Sequence, residues 1–207
     1  MNDEKKTVSK KKAAIAKIAA ESFSKKGYAE TSMEDIAAAA KLSKGGIYHY
    51  FSSKTDVLYF ITENFMDLVL NGLEEELKGV SDGLEKVKLV IKRHVELYPK
   101  HIAEAKTLIN AVHNLPRKSF NNIVKKEREY FRIVNEALAG YLGTSVDKNE
   151  AGAITFILLG MCNSIYAWYD PHSAVRPNQL SQMMFDLLID GIRGIAKIPD
   201  YRAHLPK

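Results

Sequence analysis

Residues 31–51 read TSMEDIAAAAKLSKGGIYHYF, and the punctuation of that run decides the fold. Thr31 or Ser32 can cap a helix over Met33–Ala40, and Glu34 and Asp35 put negative charge in its first turn, where the helix dipole favours it. Ser43 can cap a second short helix, Lys44–Phe51. Two helices of about two turns on a short connection have the dimensions of a helix-turn-helix, whose second member fits the major groove of a duplex. Ile36, Leu42, Ile47 and Phe51 can close a small core with Ile18 and Phe23, leaving Lys44, Gly45, Tyr48 and His49 facing out. Each of Gly45 and Gly46 costs about 1 kcal/mol relative to alanine inside a helix. Adjacent glycines near a helix start make sense where a backbone must come close to a partner.

The periodicity on either side is also helical. Residues 13–27 put Ala14, Ile15, Ile18, Ala19, Ser22 and Phe23 on one face, with Gly27 as the C-cap. Ser52-Ser53 opens a fourth helix from Lys54 to about Lys78. Asp82 and Glu85 make a capping box for a helix reaching Tyr98, where Pro99 interrupts it. Pro116 separates Ala103–Asn114 from a longer amphipathic stretch that ends near Leu142-Gly143. Asp147 and Glu150 make a second capping box in front of Ala151–Tyr169 (AGAITFILLGMCNSIYAWY), 19 residues without a charge. A loop over 170–176 precedes Pro177, at the first turn of a last helix that runs to about Lys197 and is stopped by Pro199. No strand-like alternation or fixed-period repeat accompanies these segments. The expected fold is all-α with about nine helices, an N-terminal three-helix helix-turn-helix domain preceding a larger helical C-terminal domain.

Composition limits the function classes. With 207 residues, 46% hydrophobic and 27% charged, and a mean hydropathy of -0.21, the chain can pack one or two domains and is neither disordered nor collagen-like. Residues 1–60 carry eleven Lys against seven acids, while the remainder holds 19 basic and 18 acidic residues. A basic head on a nearly neutral body fits a protein whose one end meets a polyanion, although a solvated lysine-rich terminus gives the same count. Cys162 is the single cysteine and cannot form an internal disulfide. The opening MNDEKKTVSKKK lacks the apolar core of a secretory signal, so a cytoplasmic location is expected. Ala151–Tyr169 approaches the roughly 20 residues that span a bilayer. Its Gly152, Thr155, Gly160, Asn163 and Ser164, and flanks without a one-sided basic bias, favour a helix buried on nearly every face of a soluble oligomer over a membrane span.

Catalytic and metal chemistry find no constellation. His94, His101 and His113 lack i,i+4 pairing, Pro99 lies between the first two, and no cysteine cluster accompanies them, so no metal site is expected. Cys162 reads as a buried small hydrophobe. No P-loop, dinucleotide glycine fingerprint or nucleophile elbow is present, so the chain is expected to be no enzyme and to need no cofactor.

The stretch TSMEDIAAAAKLSKGGIYHYFSSKTDVL, residues 31–58, resembles the DNA-binding domain of the TetR family of transcriptional repressors. The signature is Ser-Lys-Gly, a small residue, an aliphatic, aromatics and Phe, then Lys at the next helix start, and the likeness covers residues 8 to about 68. Gly46 stands where Thr, Ser or Ala is more usual. The resemblance implies a DNA-binding domain over 1–54, with the helix-turn-helix at 31–51, and an effector-binding and dimerisation domain over 55–207. It also implies contacts to operator DNA. Lys44 would reach guanine edges or phosphate, Gly45 and Gly46 would allow close approach, and Tyr48 and His49 would touch bases or backbone. Hydroxyls of Thr31, Ser32, Ser43 and Tyr50 would serve phosphates, with Lys54 at the positive end of helix four. Tyr48 and Tyr50 have an alternative reading as core aromatics. The Lys10-Lys11-Lys12 run would add salt-sensitive attraction.

One helix-turn-helix reads few base pairs, so such proteins pair two-fold on half-sites about 34–36 Å apart or a multiple of it. The family pattern implies a homodimer built as a four-helix bundle from the last two helices of each subunit. Here Ile154, Gly160 and Met161 of the uncharged helix and Met184, Leu188 and Ile192 of the last one would form it, a wholly intramolecular core being the alternative. Residues 160–192 resemble, more loosely, the C-terminal region of members that answer to acyl-CoA thioesters in fatty-acid or sterol catabolism. Asn163, Tyr166, Trp168, Tyr169 and Pro171 carry that likeness. Effector contacts are therefore expected at Phe131, Phe156, Asn163, Trp168 and Tyr169, for an acyl-CoA or another small hydrophobic molecule. Leu97, Ile109, Phe120, Ile123 and Ile157 are further candidates for an apolar tunnel, and Lys92, Arg93, Arg128 or Arg132 for cations at its mouth. The competing class is a helical lipid- or partner-binding protein with a basic N-terminal surface.

Overall fold

The computed structural model describes residues 2–143, 146–170, 172 and 174–195, except for the side chains of residues 2–6, 98 and 195. Helix α1 spans Asn2–Lys26, starting well ahead of residue 13 because lysine, glutamate and alanine propagate a helix without a breaker. Its inward stripe is Ile15, Ala16, Ala19, Ala20 and Phe23, while Ile18 is half-buried and Ala14 exposed. Gly27, at φ +92°, ends it. Helix α2 (Met33–Ala39) starts on a reciprocal capping box between Ser32 and Asp35. The turn after it places Lys41 at φ +55°. Helix α3 (Lys44–Tyr48) is capped by Ser43 and α4 (Lys54–Leu70) by Ser53. Ile36, Ile47, Phe51 and Phe23 are buried as expected of the reader core, with Leu42 half-buried.

Downstream, one expectation is corrected and another is borne out. The helix expected over 54–78 breaks at Asn71-Gly72, where Gly72 takes φ +71°, and α5 resumes at Leu73–Lys78. The expected interruption at Pro99 is present as a kink: α6 (Gly83–Ala111) is two helical stretches joined at His101, which leaves helical geometry (φ -134°, ψ 27°) two residues after the proline. A 3₁₀ turn at Val112–Asn114 leads into α7 (Arg117–Leu142). Helix α8 (Lys148–Trp168) has both halves of the expected Asp147/Glu150 capping box, and α9 spans Pro177–Ile195. Pro171 and the expected helix end at Lys197 lie outside the described residues. Among the described residues there are nine α-helices, one 3₁₀ turn and no strand.

The chain forms two compact units, one comprising residues up to Gly72 with Lys100–Phe131, the other Leu73–Pro99 with residues from Arg132 onward. The first is organised on α4, whose Val57, Leu58, Ile61, Phe65, Met66 and Val69 are buried. Helix α4 packs on α1 and on the 3₁₀ turn, and the Phe65 ring lies 6.4 Å from that of His101. Polar contacts join α4 to α7 on the surface, through Tyr59 with Glu63 and Asn122, and through Lys126 with Asp67. The core of the second unit holds Val87, Val90, Ile91 and Val95 of α6, Leu138 of α7, Leu158, Cys162 and Ile165 of α8, and Leu180, Met184, Leu188 and Ile189 of α9. Gly83 is required by a close approach, since a Cβ there would lie 2.8 Å from the Tyr141 backbone nitrogen.

Candidate functional site

The helix-turn-helix presents an open polar surface on a closed apolar floor. Ser43 Oγ accepts from the Gly46 N–H at 3.0 Å, which fixes the start of α3. Lys44 follows with a side chain 72% exposed, its Nζ 2.9 Å from Glu34 Oε1. The two charges support each other, the ammonium holding the Glu34 carboxyl below its usual range and the carboxylate raising Lys44. A Cβ on Gly45 would meet nothing within 4 Å, whereas one on Gly46 would lie 3.2 Å from Ser43 Oγ. Tyr48 is 45% exposed above a fully buried Ile47, so it is no core aromatic. His49 is exposed and meets the half-buried Tyr50 edge-on at 5.0 Å. Ser32 is exposed, and its hydroxyl and amide hold the Asp35 carboxyl down at about 2.

Two expected DNA contacts bond to backbone within the protein. Thr31 is buried and its hydroxyl donates to the Gly27 carbonyl at 2.8 Å. Lys54 donates to the carbonyls of Tyr28 at 2.8 Å and Ala29 at 3.2 Å, and lies over the Tyr28 ring at 4.4 Å. Both hold the loop between α1 and α2. Lys12 is similarly engaged, 4.9 Å over the Phe51 ring, while Lys10 and Lys11 are exposed.

Helices α8 and α9 carry an uncovered apolar face. Phe156 (67% exposed), Ile157 and Trp168 of α8, and Met183 and Leu187 (68%) of α9, are all open to solvent. Met184 and Leu188, expected at a dimer contact, instead fill the core of their own unit. Gly160 is exposed, and Ile154, Met161 and Ile192 are half-buried. Helix α8 is long and apolar enough to cross a bilayer, yet only 28% of its most apolar stretch is buried within this chain. The expected burial on nearly every face is therefore not supplied by one copy of the polypeptide.

Of the expected effector residues, Phe156 and Trp168 lie on the outer face just described, and Phe131 is half-buried in the other unit. Tyr169 is buried and donates its hydroxyl to the Val175 carbonyl at 2.9 Å. Asn163 is exposed overall, but its side chain hydrogen-bonds the buried His94 imidazole, which burial pushes down to about 4. His94, weighed in the sequence only as a metal ligand, is instead a buried polar group, and its Val90, Ile91 and Val95 neighbourhood is the signal for that. Burial also pushes the Cys162 thiol up to about 12, which keeps it protonated and unreactive. Of the expected mouth cations, Arg93 pairs with Glu76 and Arg132 with Glu136 and Glu74. A groove of about 630 Å³ opens between α6 and α9, lined in part by Lys88, Lys92, Asn178 and Gln182 and by none of the five expected residues.

Residues 15–59 match the model of bacterial regulatory proteins of the tetR family, and residues 80–192 match the Tetracyclin repressor-like C-terminal domain. The chain belongs to the TetR family. By that membership it is a DNA-binding, ligand-responsive transcriptional repressor of the helix-turn-helix type, and the expected family and all-helical fold are both borne out. The fatty acid metabolism regulator protein of Bacillus subtilis (strain 168) is 29% identical over 128 residues, 62% of this chain and 60% of that protein. A TetR-family regulator from Bordetella parapertussis 12822 superposes with a TM-score of 0.83 at 27% identity, covering 95% of this chain and 98% of the other. AibR, solved with isovaleryl coenzyme A and operator DNA, has a TM-score of 0.73 at 24% identity over 86% of this TetR-family chain and 97% of its own.

Proposed function

We propose that this repressor binds its operator as a homodimer and is released by a small hydrophobic effector, an acyl-CoA first among the candidates. The observation that carries the DNA half is the exposure of Lys44, Gly45, Tyr48 and His49 above the buried Ile47 and Phe51. In this reading residues 1–54 are the reader and 55–207 the effector and dimerisation domain. Ser32, Ser43, Lys44, Gly45, Gly46, Tyr48, His49 and Tyr50 meet DNA, while Thr31 and Lys54 position the loop behind them. The dimer is supported by the uncovered face of α8 and α9, on which Phe156, Ile157, Gly160, Met183 and Leu187 lie, with Ile154, Met161 and Ile192 at its margin. DNA as partner puts the protein in the cytoplasm, and burial of the α8 face by a second copy makes a membrane unnecessary.

The switch is α4. It starts beside the reader, and its later turns are buried in the same unit as the second part of α6 and the first part of α7. An effector that prefers a different arrangement of these helices swings α4 and alters the spacing of two recognition helices. A hundredfold loss of operator occupancy needs a preference of only about 2.7 kcal/mol. The acyl-CoA assignment is supported by the likeness at Asn163, Trp168 and Tyr169, by the name of the Bacillus relative and by the ligand in the AibR crystals. No catalysis is part of this function, so incubation with acyl-CoA should release no free thiol.

A thermal-shift screen against fatty acids, acyl-CoAs and cationic drugs tests the effector. A ligand at a hundred times its dissociation constant adds about 2.7 kcal/mol, and absence of any shift with every thioester removes the acyl-CoA. The uncovered apolar face also favours a second reading, a carrier whose basic head meets anionic lipid. Equal binding to every duplex sequence and to anionic vesicles would support the carrier and sink the repressor.

A further inference from the structure

We infer that Glu34 reads operator sequence together with Lys44, the two side chains forming an acceptor and donor pair matched to the major-groove edge of one G·C base pair. The inference rests on the DNA-binding reading above and adds to it a residue of α2. Glu34 lies in the first turn of α2 and Lys44 opens α3, so their 2.9 Å contact joins the two helices on the exposed side of the motif. Both remain open, with side chains 56% and 72% exposed. Glu34 is not needed to cap α2. That task belongs to its neighbour Asp35, which accepts from the Ser32 amide at 2.8 Å and the Ser32 hydroxyl at 2.7 Å and also pairs with Lys26.

An ionised carboxylate beside a recognition helix is repelled by every phosphate, so it weakens binding to DNA in general. Its compensating use is to accept a hydrogen bond from an exocyclic amino group, of which cytosine N4 is the usual partner for an acid. Lysine in turn donates to O6 and N7 of guanine. A G·C pair presents those two acceptors directly beside the N4 donor, whereas an A·T pair sets its N6 donor between two acceptors and adds the thymine methyl. The ammonium keeps two donors and the carboxylate further lone pairs beyond their mutual contact, so both can engage bases without separating.

Selection of binding sites from a random duplex pool, using the full chain and its Glu34→Gln and Glu34→Ala variants, tests this. The wild type should enrich half-sites containing a fixed G·C pair. Glu34→Gln, isosteric and at an exposed position, should move the preference at that pair toward adenine, whose N6 and N7 suit an amide. Glu34→Ala should lose discrimination there, on the order of tenfold, leave the other positions unchanged, and bind unrelated DNA more tightly. Thermal unfolding of both variants checks that the fold is intact. Identical preferences in all three proteins, or a loss spread evenly over every position, would overturn the role of Glu34. Failure of the wild type to enrich any sequence would overturn the DNA-binding reading itself.

Discussion

Gly45 and Gly46 look alike in the sequence and differ in the structure. A methyl on Gly45 enters open space, while one on Gly46 crowds the Ser43 hydroxyl that caps α3. Gly45→Ala should therefore raise stability by about 0.5–1 kcal/mol in urea unfolding through helix propensity. On the DNA-binding reading proposed above it should also weaken operator binding, because the methyl projects into the space reserved for the duplex. A variant that is stabilised yet binds as tightly as the wild type would remove Gly45 from the interface. The buried His94 makes a pH prediction. Its imidazole sits at about 4 against an ordinary 6.5, so above pH 6.5 it is neutral folded or unfolded and has no effect. As pH falls below 6.5 the unfolded chain takes up the proton first, and stability drops until about pH 4, by roughly 3 kcal/mol in all. His94→Gln should flatten that segment of the profile, measured by urea unfolding at pH 7 and 4.5.

At the scale of elements, α8 and α9 separate residues that hydrophobic patterning treats as equivalent. Met183 and Met184, and Leu187 and Leu188, are apolar neighbours about 100° apart around the helix, so either of each pair could face the core. The structure buries Met184 and Leu188 and exposes the other two. Leu188→Ala should cost about 2–5 kcal/mol by leaving a cavity, read from the unfolding midpoint. Leu187→Glu should keep the helical circular-dichroism signal, run as a monomer in size-exclusion chromatography with light scattering, and lose operator affinity. A dimer that survives Leu187→Glu would move the contact elsewhere. Helix boundaries show the same division. The Asp147/Glu150 box was legible because a cap and its partner lie three residues apart. Pro99 likewise marked the interruption of α6, but the loss of helical geometry falls two residues later, at His101, which no residue pattern singles out.

For the whole molecule, the two binding events must be reciprocal. An effector that weakens operator affinity a hundredfold must itself bind the operator complex a hundredfold less tightly than the free dimer. Titration of the effector by fluorescence, with and without saturating operator duplex, checks this, and equal affinities would mean that the ligand is no inducer. From its sequence alone the protein was readable as an all-helical TetR-family regulator, with a helix-turn-helix inside residues 31–51. Caps, turns and the 3.6-residue period are set by groups within four or five positions of one another, and the family signature lies in one unbroken run. Only the tertiary structure decided that Thr31 and Lys54 hold a loop, that Phe156 and Trp168 face outward, that His94 is buried against Asn163, and that Glu34 meets Lys44. Each of those outcomes depends on which neighbour occupies the space beside a side chain, and that neighbour comes from another element whose approach no local spacing records.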